Sequence, residues 1–142
     1  MTPQQRSRDY LTARGYTVAT VEALKRFPDK KVPSCQACGA HKMVMVRVDL
    51  FGFGDLLAFN GTNTDIIQTT DKSNMSHRWR KIQESPEARA WLNAAASRNI
   101  IVHGWYKAGN RWQVKERYFA SDDFDVTRMK DWDEPETVLL PF

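Results

Sequence analysis

Asp49-Leu-Phe-Gly-Phe-Gly-Asp55, followed by Ile66-Ile67-Gln68-Thr69-Thr70, holds the densest polar information in an apolar setting. Asp55 opens a strand directly after a glycine. The Asn60-Gly61 turn folds the next strand back against it. Residues two apart on a strand share a face, so the spacing predicts Gln68 and Thr70 on one side, close to Asp55. A carboxylate with amide, carbonyl and water oxygens is a hard donor set suited to a divalent cation. Such an ion polarises a phosphate and generates hydroxide for its hydrolysis. The alternative is an Asp55 that caps a turn beside a solvated strand.

Cys35-Gln-Ala-Cys38-Gly39-Ala-His41 is the second chemical feature. Two thiolates in a C-x2-C step can face one zinc ion, with Gly39 allowing the tight turn. His41 is a candidate third ligand. His77, His103, Asp29 or a partner chain are candidates for the fourth. A reduced, unliganded pair and a redox pair are the other readings, although the redox reading lacks a following helix start.

The cations come next. Lys72, His77, Arg78, Arg80 and Lys81 cluster just after the Gln68 strand, and Ser73 and Asn74 can add backbone-phosphate hydrogen bonds. Ile82 and Trp79 are expected to face the core, leaving Arg78 and Lys81 outward. Lys107, Arg111 and Lys115 extend a positive face if their hairpin lies beside the site. Trp105, Tyr106 and Trp112 are expected mainly in sheet packing, with base stacking by one or two of them as the alternative. His103, within a strand, reads as a structural histidine.

These side chains need elements to position them. Residues 3–14 read as a helix with Pro3 in the first turn and Gly15 as its stop. Strands are expected over 16–21, 43–50, 55–59, 65–70, 100–107 and 111–118, with an irregular segment over 23–42. Ser76 is the expected cap of a helix over 77–84. Ser85 and Pro86 start a second helix that runs to about Arg98, with Ala88, Trp91, Leu92 and Ala95 on one face. The order is α-β-β-β-β-α-α-β-β: an α/β chain with a mixed central sheet flanked by helices.

The first helix, the strand ending in Glu22, the runs DLFGFGDLLAF and IIQTT, and the basic helix HRWRKI together resemble a divergent PD-(D/E)xK nuclease. The similarity is to the small proteins related to archaeal Holliday junction resolvases, and it covers roughly residues 3–118. It implies a restriction-endonuclease-like α-β-β-β-α-β core and Mg²⁺- or Mn²⁺-dependent cleavage of DNA, including branched DNA, by a homodimer. Under the resemblance Glu22 matches the early acid and Asp55 the "PD" aspartate. Gln68 falls where the second acid is expected and Thr70 where the lysine is expected. Asp49 is then the candidate for the missing carboxylate, and Lys72 or Arg47 for the missing cation. Asp55 would hold the ion, Glu22 or Asp49 would assist, and Gln68 would position water. A nuclease fold that binds nucleic acid without cutting it, and a zinc-stabilised module for protein partners, are the other functional readings.

Composition bounds the rest. The chain has 142 residues, 42% of them apolar and 27% charged, with 5 Trp, 7 Phe and 4 Tyr. That is ordinary for one globular domain and too aromatic for a disordered chain. No apolar run is long enough to span a bilayer, and Met1 to Arg8 shows no apolar signal segment, so the cytoplasm is the expected compartment. Two cysteines are too few for a disulfide scaffold. The net charge of +4 hides an asymmetry. Residues 1–121, the expected nuclease-like domain with its inserted Cys-containing loop, hold 19 Lys/Arg against 10 Asp/Glu. Residues 122–142 hold 2 against 7 and form an acidic extension. A basic body favours an anionic partner, nucleic acid first.

Overall fold

A computed structural model of the chain describes residues 1–124. The acidic extension expected over 122–142 lies almost wholly outside the described residues. Helix α1 (Pro3–Ala13) starts at a reciprocal cap: Thr2 and Gln5 each bond the other's backbone N–H through their side chains. Gly15, at φ +86°, ends it and turns the chain into strand β1 (Thr17–Thr20).

Strands β2 (Ala23–Pro28) and β3 (Met43–Val48) pair antiparallel as a two-stranded ribbon of their own. The expectation of irregular chain over 23–42 is therefore corrected: its first six residues are a strand. Neither face of this ribbon meets the core, so β2 is exposed throughout and carries no alternating burial that a pattern could reveal.

The main sheet has the order β1-β4-β5-β6-β7, with β4 (Leu56–Phe59), β5 (Thr64–Asp71), β6 (Arg98–Ala108) and β7 (Arg111–Phe119). Only the β5–β6 pair is parallel. A parallel pair needs a long crossover. Helices α2 (Met75–Gln83) and α3 (Pro86–Ala94) supply it. The cap of α3 is the expected Ser85, whose hydroxyl accepts from the Ala88 N–H. The cap position of α2 is Asn74 rather than Ser76, because a short 3-10 turn over Lys72–Asn74 runs straight into the helix. Helix α3 stops at Ala94, so Ala95 is exposed beyond its end.

The central strand β5 is buried on both faces, and three layers result. On one side α1 packs Leu11 against Leu56, Ala58, Ile67 and Ile101. On the other, α2 and α3 pack Trp79, Ile82 and Ala88 against Phe53, Ile66 and Val102. Trp79 and Phe119 meet with ring centres 4.6 Å apart. Gly104 lets the 3-10 turn and α2 press onto β6, because a Cβ there would strike the Met75 side chain. Expected elements and observed elements thus agree in type nearly everywhere, as a mixed α/β sheet flanked by helices.

Candidate metal and phosphate site

Phe51, at φ +54°, and Gly52, at φ +79°, make the bend that separates Asp49 from Asp55. Leu50 then bonds back to Gly54, its N–H donating to the Gly54 carbonyl at 2.8 Å. This closed bend brings the two aspartates together although five residues separate them. Glu22 arrives from the end of β1, where the Val21 N–H donates to the Asp55 carbonyl at 3.0 Å. Glu22, Asp49 and Asp55 each offer a carboxylate oxygen within 4.8 Å of the others.

Asp55 is the buried member. Its Oδ2 accepts three hydrogen bonds: from Gln68 Nε2 at 2.9 Å, from the Thr69 N–H at 2.9 Å and from the Thr69 hydroxyl at 2.8 Å. Burial pushes its carboxyl up to about 6, and the negative charges of Asp49 and Glu22 push the same way against the lowering effect of Thr69. Gln68 is buried, and with its amide nitrogen committed to Asp55, its Oε1 has no hydrogen-bond partner. Buried polar atoms without partners are rare, so this oxygen marks a place for a ligand atom.

A pocket of about 200 Å³ opens over this group. Arg47 and Arg78 stand in its wall, together with Pro3 and Gln4 of α1. Arg47 pairs loosely with Glu22 at 4.0 Å. The Nε of Arg78 and the Nε2 of Gln4 are buried without hydrogen-bond partners. The space is small for an organic ligand and suits an ion with phosphate oxygens.

The structure brings together Glu22, Asp49, Asp55, Gln68 and Arg47, as the sequence predicts. Three expectations are corrected. Thr69, not Thr70, contacts Asp55. Strand β4 begins at Leu56 opposite Ile67, so β5 overhangs it, and the Asp55 side chain takes up the Thr69 N–H that a longer β4 would have met. Thr70 is buried and does not line the pocket. Lys72 also lies outside it: its ammonium sits 4.4 Å over the Tyr106 ring, beside a different cleft. Arg78 does not face outward but into the acidic pocket. Its sequence signal was the stripe Met75, Arg78, Trp79, Ile82, whose i, i+3, i+4, i+7 spacing places it on the buried face of α2. Thr69 and Gln4 carried no signal of that kind.

Of the other candidates, Ser73 and Asn74 are exposed in the 3-10 turn, Lys81 is half-buried on α2, and Lys107 and Arg111 are exposed on the β6–β7 hairpin. Cys35 and Cys38 are free and exposed at the far end of the β2–β3 ribbon. Their turn is tied by the Gly39 N–H donating to the Cys35 carbonyl at 2.7 Å. A hydrogen bond from Cys38 lowers the Cys35 thiol below its usual range. His41 does not join them: among the described residues the only cluster of three potential ligands is the carboxylate one. His103 is structural, fully buried with Nδ1 3.0 Å from the Ser7 hydroxyl.

No family model, no curated protein and no solved structure matches the chain. Among the described residues, no helix is long and apolar enough to cross a membrane.

Proposed function

We propose that this protein is a metal-dependent nuclease whose ion binds between Glu22, Asp49 and Asp55. The observation that carries the reading is that convergence of three carboxylates, beside an orphaned Gln68 oxygen, in a body that is otherwise strongly basic. Four hard oxygens fit Mg²⁺ or Mn²⁺ and do not fit a soft thiolate metal. The element order supports the restriction-endonuclease-like core that the sequence resemblance implies.

When bound, the ion supplies Lewis acidity toward a phosphate and a water of lowered pKa. The chain's own groups do the rest. Gln68 Oε1 orients a water or completes the coordination. Arg78 and Arg47 present guanidinium donors to the phosphate oxygens and offset the charge that builds up on them. Arg78 thereby fills the role of the lysine that Thr70 cannot play.

The test is incubation with linear, single-stranded and four-way DNA, with and without Mn²⁺. Metal-dependent cutting that Asp55→Ala abolishes is the expected result. Salt-sensitive binding without cutting under any divalent ion replaces this reading by a nuclease fold that only binds, as the amide at Gln68 would favour. Paired cuts in a four-way junction require two sites, so a two-fold dimer is part of the proposal for that substrate, and sizing with and without the junction reads it.

A further inference from the structure

Strand β5 ends at Asp71, opposite Trp105, while β6 continues through Tyr106, Lys107 and Ala108 and returns as β7. The missing neighbour leaves a notch beside the overhanging hairpin. This notch is a cleft of about 600 Å³, lined by Asp71, Lys72, Ser73, Trp105, Tyr106 and Trp112. Its volume lies within the range of sites for small organic ligands. Trp105 is fixed at its back, with its indole N–H donating to the Ser7 hydroxyl at 2.8 Å. Trp112 stands at its mouth and is 46% exposed, leaving ring surface open to solvent.

Charge decides what such an aromatic cleft takes. Aromatic walls serve either a cation or a flat π-system. Here the protein's own cations already lie over the rings. Arg6 is 3.6 Å from the Trp112 ring centre, Lys107 is 6.0 Å from it, and Lys72 is 4.4 Å from that of Tyr106. Asp71 is the one acid among the lining residues, outnumbered by the three cations over the rings. A cationic ligand would be repelled, whereas a planar base with a phosphate attached finds rings for the one and ammonium or guanidinium groups for the other.

Position adds to this. Gln68 of the carboxylate pocket and Asp71 of the cleft lie three residues apart on β5, about 10 Å along an extended strand. Helix α1 touches both, with Gln4 in the pocket and Arg6 on Trp112. A nucleic-acid strand can reach from one to the other.

We propose that the notch beyond Asp71 holds an unpaired nucleobase, stacked against Trp112 and Tyr106, with its phosphates on Lys72, Arg6 and Lys107. The proposal rests on the nucleic-acid reading of the neighbouring pocket and narrows it: the substrate carries a single-stranded or unstacked nucleotide next to the cut. A base in a continuous duplex is stacked on both sides and cannot enter.

The experiment uses the full chain in EDTA, so that no cutting occurs. Fluorescence anisotropy compares a short labelled oligothymidylate with a duplex of the same length. Wild type should favour the single strand, with quenching of tryptophan fluorescence. Trp112→Ala should weaken that binding about tenfold, the cost of one lost stacking partner, with duplex binding unchanged. Trp112→Phe should restore most of it, which separates stacking from any disturbance of the hairpin. Equal affinity for single strand and duplex, or full affinity in Trp112→Ala, overturns the proposal. So does binding of a trimethyl-lysine peptide in the cleft in place of the oligonucleotide. The two readings fail separately. Single-strand binding lost in Trp112→Ala without cutting under any divalent ion keeps the base site and removes the nuclease. Cutting that is indifferent to Trp112→Ala on nicked and single-stranded DNA does the reverse.

Discussion

The Asp55 carboxylate grips Thr69 twice with a single oxygen, at 2.9 Å from its N–H and at 2.8 Å from its hydroxyl. The grip fixes the carboxylate against the central strand and leaves Oδ1 free of these bonds. It also makes Thr69 a positioning residue. Thr69→Val keeps the shape and the N–H bond and removes the hydroxyl. Cleavage should fall about tenfold, with a weakened apparent affinity for Mn²⁺ in a metal titration, while the thermal midpoint moves little.

Burial and two neighbouring carboxylates raise Asp55 to about 6, well above its value in an unfolded chain. The folded state therefore binds the proton more tightly than the unfolded state. The stabilisation this gives is complete below about pH 4 and is lost as pH rises toward and through 6. In EDTA, Asp55→Asn should be more stable than wild type at pH 7.5, by roughly 1–2 kcal/mol, and the difference should vanish near pH 4. Millimolar Mn²⁺ should recover the loss in wild type only. Thermal melts at both pH values, with and without the ion, check this.

Arg78 enters the acidic pocket with its Nε unpartnered. In the proposed phosphate contact its contribution would be geometric as well as electrostatic, since a guanidinium is a fixed fork and an ammonium is a point. Arg78→Ala should lower kcat by about a hundredfold, with a smaller change in KM. Arg78→Lys should recover only part of kcat. An unchanged kcat in Arg78→Ala would return the residue to a packing role.

Gly54 has no room for a side chain. A Cβ there would lie 2.6 Å from Ile66 Cγ2, on a fully buried residue of the central strand. Gly54→Ala should destabilise the fold by about 1–3 kcal/mol and shift Asp55 with it. Urea unfolding gives the first effect, and metal affinity the second.

Cys35 carries the lowered thiol of the exposed pair. At neutral pH, iodoacetamide should label Cys35 faster than Cys38, and Cys38→Ala should slow Cys35 by removing the hydrogen bond that stabilises its thiolate. Peptide mapping over a labelling time course measures both rates.

Much of this was legible in the residues. Pro3, Gly15, Ser85 and Pro86 mark element ends by backbone chemistry that acts locally, and the structure follows them. The closeness of Asp55 to Gln68 followed from one turn and one strand period. What failed to show depended on partners distant in the chain. Strand β2 pairs only with β3 across a long connection and buries nothing, so it had no pattern to display. The exchange of Thr70 for Thr69 depends on β4 starting one residue after Asp55, and a one-residue boundary is beyond pattern reading. Arg78 was hidden by its charge: an arginine in an apolar stripe reads as exposed until a pocket is seen to receive it.

The ribbon gives the carboxylate group an unusual footing. Glu22 immediately precedes β2 and Asp49 immediately follows β3, whereas Asp55 immediately precedes β4 of the main sheet. The three carboxylates therefore straddle a seam stitched by the Val21–Asp55 and Leu50–Gly54 backbone bonds. Two of them are the feet of a protruding arm and the third is bedrock. A tilt of the ribbon relative to the sheet would therefore change the spacing of the three carboxylates.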